Sequence, residues 1–221
     1  TQKGSTKVLM VDDSPFVMLA GELHNSNSST PEAMEASCRK AVELGMNSVI
    51  ATLSWELIEP EEGCFDFSTV DMVIDIARKH GLKLELIWFG SWKNAQCAYA
   101  PAWVKKDLNR FPRAEMQKGK RSGRMEILGA VNYTTLSYLS EEACKADARA
   151  FQAVMAHIRE IDSRENTVLM MQVENETGVL TAAREHADLA DRLFYGPAPA
   201  ELVQYLKAHT ENMADEVRAA V

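Results

Sequence analysis

Short apolar runs and longer amphipathic stretches alternate along this chain. Lys7-Val8-Leu9-Met10-Val11 and Phe16-Val17-Met18-Leu19-Ala20 are strand-length runs on either side of Asp12-Asp13-Ser14-Pro15, a cluster of turn formers. They predict a short β-hairpin leading into the first core strand, which Gly21-Glu22-Leu23-His24-Asn25 closes. Thr30 then caps a helix with Pro31 at its first position, and Met34, Cys38, Ala41, Val42 and Leu44 carry it to a stop at Gly45. The pattern repeats: Asn47 to Leu53 reads as a second strand, Val70 to His80 as a helix stopped by Gly81, and Leu82 to Phe89 as a third strand. Residues 95 to 140 form a long loop broken by prolines and glycines. Ser140 opens a helix to Ile161 with an apolar stripe through Ala143, Ala150, Val154 and Ile158. Residues 167 to 173 are the fourth strand, apolar enough to be buried on both faces, and a last helix starts near Ala200 after Pro197-Ala198-Pro199.

Strand and helix in strict alternation predict an α/β fold with parallel strands and right-handed crossovers. The repeat predicts a (β/α)8 TIM barrel of which about four β/α units are present, preceded by the hairpin. A complete barrel takes about 250 residues, so residues 1–221 read as one domain, the N-terminal half of a barrel. A half barrel leaves a strand edge unpaired. The chain is therefore expected to be part of a larger barrel, or to pair with a missing second half or with its own copy as a homo-oligomer.

Composition narrows the class. With 46% hydrophobic and 25% charged residues the chain is ordinary globular protein, not a disordered or fibrous one. A net charge of −8 argues against a nucleic-acid partner unless a local cluster supplies the field. The cations from Lys105 to Arg124 are interrupted by Asp107 and Glu115 and lack interleaved aromatics, so they read as a solvated loop. No apolar run approaches the roughly 18 residues that span a bilayer, so no membrane partner is expected. The chain starts at Thr1, which leaves the compartment open between periplasmic or secreted and cytoplasmic. Cys38, Cys64, Cys97 and Cys144 match neither zinc-site nor disulfide-framework spacing and read as free thiols. With no metal-ligand spacing and no glycine-rich phosphate loop, no metal or cofactor is expected.

Chemistry concentrates where strands end. In a barrel the catalytic groups sit at the C-terminal rim, and the fourth strand ends abruptly in Gln172-Val173-Glu174-Asn175-Glu176. Regular alternation puts Gln172, Glu174 and Glu176 on one face and Val173 and Asn175 on the other. A rim bulge would instead aim Asn175 and Glu176 into one pocket. Glu174 reads as a buried carboxylate paired with a basic or amide neighbour. Trp55, Trp88 and Trp92 fall at or past strand ends, where a ring can stack on a sugar or simply pack in the core. Asn94, past the third strand, and His24, at the end of the first, are further candidates for sugar contacts.

The Gln-Val-Glu-Asn-Glu run resembles the fourth-strand signature of the family 35 beta-galactosidases, in the clan of retaining glycosidases built on (β/α)8 barrels. Trp55 to Phe67, with Glu59-Pro60-Glu61-Glu62-Gly63 and Phe65-Asp66-Phe67, resembles the second-strand segment shared with family 42. Ala100-Pro101-Ala102-Trp103-Val104 is similar to the family 42 loop after strand three, and Pro15 to His24 resembles the opening strand of family 35. Thr177 stands where an aromatic is found in the family, and the loop from Trp88 to Asn94 also departs from its pattern. The resemblance implies that Glu176 is the general acid/base, that Asn175 binds the sugar 2-hydroxyl, and that the nucleophile lies on strand seven, outside this chain. It implies an oligosaccharide substrate and no cofactor, and a fragment inactive by itself. A non-catalytic carbohydrate-binding or scaffold half barrel and an unrelated TIM-barrel enzyme remain the alternatives.

Overall fold

A computed structural model of the chain describes residues 2–3, 6–93, 97–117, 120–121, 125–127, 130–132, 135–177 and 183–220. Its centre is a parallel sheet of β1 (Ala20–Glu22), β2 (Ser48–Ser54), β3 (Lys83–Lys93) and β4 (Val168–Asn175), side by side in chain order. Between the strands run α1 (Pro31–Glu43), α2 (Ser68–Lys79) and α3 (Glu141–Asp162). Their apolar stripes, including Met34, Ile74 and Val154, join Val49, Leu53, Leu84 and Leu86 in one core. A doubly wound sheet reverses its strand order and carries helices on both faces, whereas this one does neither. It is a wall of a (β/α) barrel, with its helices in a single outer layer.

Local chemistry explains the elements. Thr30 Oγ1 accepts from Ala33 N at 3.3 Å and Ser140 Oγ from Ala143 N at 3.2 Å, so both caps act as their sequences predict. Gly45 and Gly81 end their helices at φ 76° and 67°, a left-handed conformation that L side chains resist. The hairpin pairs Met10–Val11 with Ser14–Pro15 through Asp12 and Asp13, both left-handed, as a two-residue turn requires.

The structure corrects the element bounds in instructive places. β1 begins only at Ala20, because the Asn47 side chain takes the upstream backbone: its Oδ1 accepts from Leu19 N and its Nδ2 donates to Val17 O, each at 2.8 Å. β3 runs on to Lys93 instead of stopping at Phe89, because Asn175 of β4 pairs with Lys93 beyond a break in the ladder. Val42 and Leu44 are exposed rather than part of the α1 stripe. A further helix, α4 (Asp188–Tyr195), follows the fourth strand ahead of the expected α5 (Ala200–Ala208). It lacks a capping side chain, and is held by Arg184, which reaches Asp191 at 2.6 Å and covers the Phe194 ring.

Across the sheet edge, Arg78 of α2 donates to Asp162 at 2.9 Å, and Asp162 also accepts the Val168 amide at 2.7 Å, tying α2, the end of α3 and the start of β4 together. In the long loop, Lys105 is paired with Glu56 and Arg110 is bidentate on Glu62. Among the described residues, no helix is long and apolar enough to cross a membrane, and the cysteines are free.

Candidate active site

The rim of β3 and β4 is built around a break in their pairing. Gln172 pairs with Ile87 and Val173 with Trp88 in regular parallel register, but the next pair is Asn175 with Lys93. β3 therefore bows outward between Trp88 and Lys93, and its amides at Ser91 and Trp92 lose their strand partner. The Glu174 side chain takes that place: Oε1 accepts from Ser91 N at 3.0 Å and Oε2 from Trp92 N at 2.7 Å. Glu174 and Glu176 both adopt left-handed backbone, φ 66° and 50°, which costs a non-glycine residue about 1–3 kcal/mol. Strain of this kind persists only where other contacts hold it.

The break overturns simple alternation. Gln172 Nε2 donates to Glu174 O and to Asn175 Oδ1, each at 3.0 Å, so Gln172 and Asn175 share a side of the strand. Glu174 turns instead toward α3, where it meets Asp147. It is partly buried, as expected, but its partners are backbone amides and a second acid rather than a basic or amide side chain. Asp147 Oδ1 accepts from Trp88 Nε1 at 2.7 Å and Oδ2 from Ser91 N at 2.6 Å. Burial first, then the hydrogen-bonded Asp147 carboxylate, push the Glu174 carboxyl up to about 10, against the pull of the Trp92 and Ser91 amides. Gly90 makes room: a β-carbon there would lie 2.5 and 2.6 Å from the Asp147 oxygens.

Glu176 ends this arrangement with its carboxyl exposed and with no partner among the described residues. Trp92, half-buried, lines a cavity of about 360 Å³ with Ser91, Tyr138, Asp147, Glu174 and Thr177. Two of the candidate tryptophans do not face a site. Trp88 is fully buried against α3, tilted on Phe151, and Trp55 is fully buried edge-on to Trp103 with its Nε1 donating to Glu59 Oε2 at 2.7 Å. The Trp88 indole N–H reaches the Asp147 carboxylate on α3, whereas that of Trp55 reaches Glu59 four residues along its own segment, and both rings pack in the core. Glu59, itself 2% exposed, also accepts Gly63 N and so shapes the turn of the Glu59-to-Gly63 segment. His24 is exposed and lines a groove against Ser37 and Lys40 of α1. Asn94 lies outside the described residues.

A profile of glycoside hydrolase family 42, described as beta-galactosidase, matches residues 24–217. The chain belongs to this beta-galactosidase family. A beta-galactosidase of Xanthomonas manihotis is 28% identical over 186 residues, covering 81% of this chain and 26% of that protein. Beta-galactosidase BgaB of Geobacillus sp. (strain Y412MC61) is 40% identical over 70 residues, 31% of this chain and 9% of its own length. The chain thus spans about a quarter or less of the curated relatives it matches. A crystal structure of GH5_18 from Streptomyces cattleya in complex with GlcNAc aligns over 66% of this chain and 29% of its own, at 15% identity and a TM-score of 0.43.

Within this family member, sequence reasoning missed Asp147, Gly90 and Ser91. Asp147 carried a readable signal: a carboxylate four residues after Ala143 and four before Phe151, on the buried stripe of α3, where an acid needs a partner. Gly90 read as the end of a strand. Among the described residues no group of His, Cys, Asp or Glu is placed to hold a metal ion.

Proposed function

We propose that this chain supplies the acid/base wall of a retaining beta-glycosidase, beta-galactosidase-like, that removes terminal sugars from oligosaccharides. Glu176 protonates the departing glycosidic oxygen and then, as a carboxylate, activates water against the glycosyl-enzyme intermediate. Asn175 holds the sugar 2-hydroxyl, with its Oδ1 oriented by Gln172. Trp92 stacks on the sugar or its leaving group at the cavity beside Thr177. The observation that carries this reading is the left-handed turn at Glu174 and Glu176, which ends β4 by exposing the Glu176 carboxyl at the C-terminal rim in a chain of this family.

A retaining mechanism needs a second carboxylate about 5–5.5 Å from the first. Glu174 is committed to Asp147 and the β3 amides, so the nucleophile comes from elsewhere in the barrel, and the 221 residues alone are expected to be inactive. β4 is an edge strand with Met170 and Val173 exposed, which fits a further barrel strand, from the same protein or a partner copy, laid against it.

The full-length product assayed on a panel of aryl glycosides tests this. Hydrolysis of β-galactosides, with kcat reduced about 100- to 10,000-fold in Glu176→Gln, is expected. Full activity in that variant overturns the acid/base role. Sugar binding without turnover in the wild type would assign the chain to a non-catalytic carbohydrate-binding protein.

A further inference from the structure

We propose that Asp147 and Glu174 are a pair of positioning residues that share one proton, coupling α3 to the broken β3–β4 rim and thereby holding the Asn175–Glu176 segment in its working orientation. The proposal rests on the reading of Glu176 as the acid/base.

Hydrogen-bond accounting requires the proton. Asp147 is 8% exposed and its two oxygens already accept from the Trp88 indole and the Ser91 amide. Glu174 accepts from the amides of Ser91 and Trp92, and because Asp147 accepts from the same Ser91 N–H, at 2.6 Å against 3.0 Å for Glu174, the two carboxyls are brought together at one donor. The indole and the amides only donate, and two ionised carboxylates cannot hydrogen-bond each other. The arrangement closes only if one of the two carries a proton and donates it to the other. Burial and the neighbouring Asp147 side chain raise the Glu174 carboxyl, so Glu174 is the member that carries the proton.

Two further features bear on the role. The missing β-carbon of Gly90 leaves the volume that the Asp147 carboxylate occupies, so the backbone of β3 is shaped for this pair. The left-handed residues Glu174 and Glu176 flank Asn175, and the Glu174 side chain is the anchor that fastens this strained stretch to β3. Solvent reaches the pair through the 360 Å³ cavity. Tyr138, Cys144, Asp147 and Glu174 are the titratable groups that line it, and no Lys, Arg or His lines it among the described residues. Loss of the proton therefore leaves two negative charges facing one another with no cation in the cavity wall to separate them.

The test uses the full-length protein. Glu174→Gln presents a carbonyl to a β3 amide and an NH₂ to Asp147, copying the protonated acid, and is expected to retain kcat within about threefold. Glu174→Ala and Asp147→Ala remove the anchor and are expected to lower kcat about 100-fold, with KM changed much less. The melting temperature of wild type is expected to fall relative to Glu174→Gln as pH rises toward 10. Wild-type kcat in Glu174→Ala, or parallel melting curves for wild type and Glu174→Gln across that range, overturns the shared proton and its role. Should the alanine variants fail to fold, the glutamine comparison decides alone. Full activity in Glu176→Gln, measured alongside, sinks the acid/base reading and the positioning role with it, whereas loss there with indifference at Glu174 and Asp147 sinks only the pair.

Discussion

The carboxyls of Asp147 and Glu174 converge on a single donor, the Ser91 amide, at 2.6 and 3.0 Å. One comes from the second turn of α3 and the other from the broken end of β4, so the site's backbone depends on groups far apart in the chain. The consequences for pH, packing and binding can each be measured.

Glu174 is held neutral by burial and by Asp147, with its carboxyl raised to about 10 from the ordinary 4.5. An acid with a raised folded pKa contributes most below its unfolded pKa, and that contribution is lost as pH rises toward the folded value. Stability of the wild type is therefore expected to decline between about pH 5 and 10 relative to Glu174→Gln. Denaturant unfolding at several pH values checks this, and a constant difference between the two proteins contradicts it.

Asp162 behaves in the opposite sense. Burial raises its pKa, but the Val168 amide, Thr167 and Arg78 outweigh burial and hold the carboxyl below the usual range. Its contribution is present above the ordinary carboxylate pKa and is lost as pH falls through the lower folded value. Asp162→Asn is expected to cost about 2 kcal/mol at neutral pH, discounted from a fully buried pair because Arg78 is 34% exposed. The gap between variant and wild type should close in acid, as pH falls below the ordinary aspartate value of 3.8.

Gly90→Ala places a methyl group against both Asp147 oxygens. Overpacking of this kind costs about 1–3 kcal/mol, here with displacement of Asp147 or of the β3 bow. A melting temperature equal to wild type would mean that β3 accommodates the methyl without moving Asp147.

The tryptophans divide by role. Trp92→Ala is expected to raise KM for an aryl glycoside about tenfold with little loss of stability, as fits one stacking contact. Trp88→Phe removes the N–H that Asp147 accepts and should destabilise the protein while leaving KM unchanged. Steady-state kinetics beside thermal melting separates the two outcomes; an unchanged KM in Trp92→Ala removes that residue from the sugar site.

Much of the wall was readable from local pattern. The caps at Thr30 and Ser140 and the stops at Gly45 and Gly81 each depend on a few neighbouring residues and occur as predicted, whereas the expected Asp12-to-Pro15 turn tightens to Asp12-Asp13, with Ser14 and Pro15 pairing with Val11 and Met10. β1 and α4 were misjudged where a distant group decided the outcome: Asn47 claims the backbone before Ala20, and Arg184 rather than a cap anchors α4. The tryptophans at strand ends looked alike in sequence because the face that each ring takes depends on the helix packed behind it.

By itself the sequence determined the hairpin, the strand and helix alternation, and the Asn175-Glu176 pair at the end of the fourth strand, since propensity, capping and apolar period are local properties. Only the tertiary structure decided that Glu174 turns away from Gln172 to join Asp147 and replace a strand as the partner of Ser91 and Trp92. That choice follows from satisfying buried polar groups contributed by β3, α3 and β4 together, a condition set only once those elements are in contact.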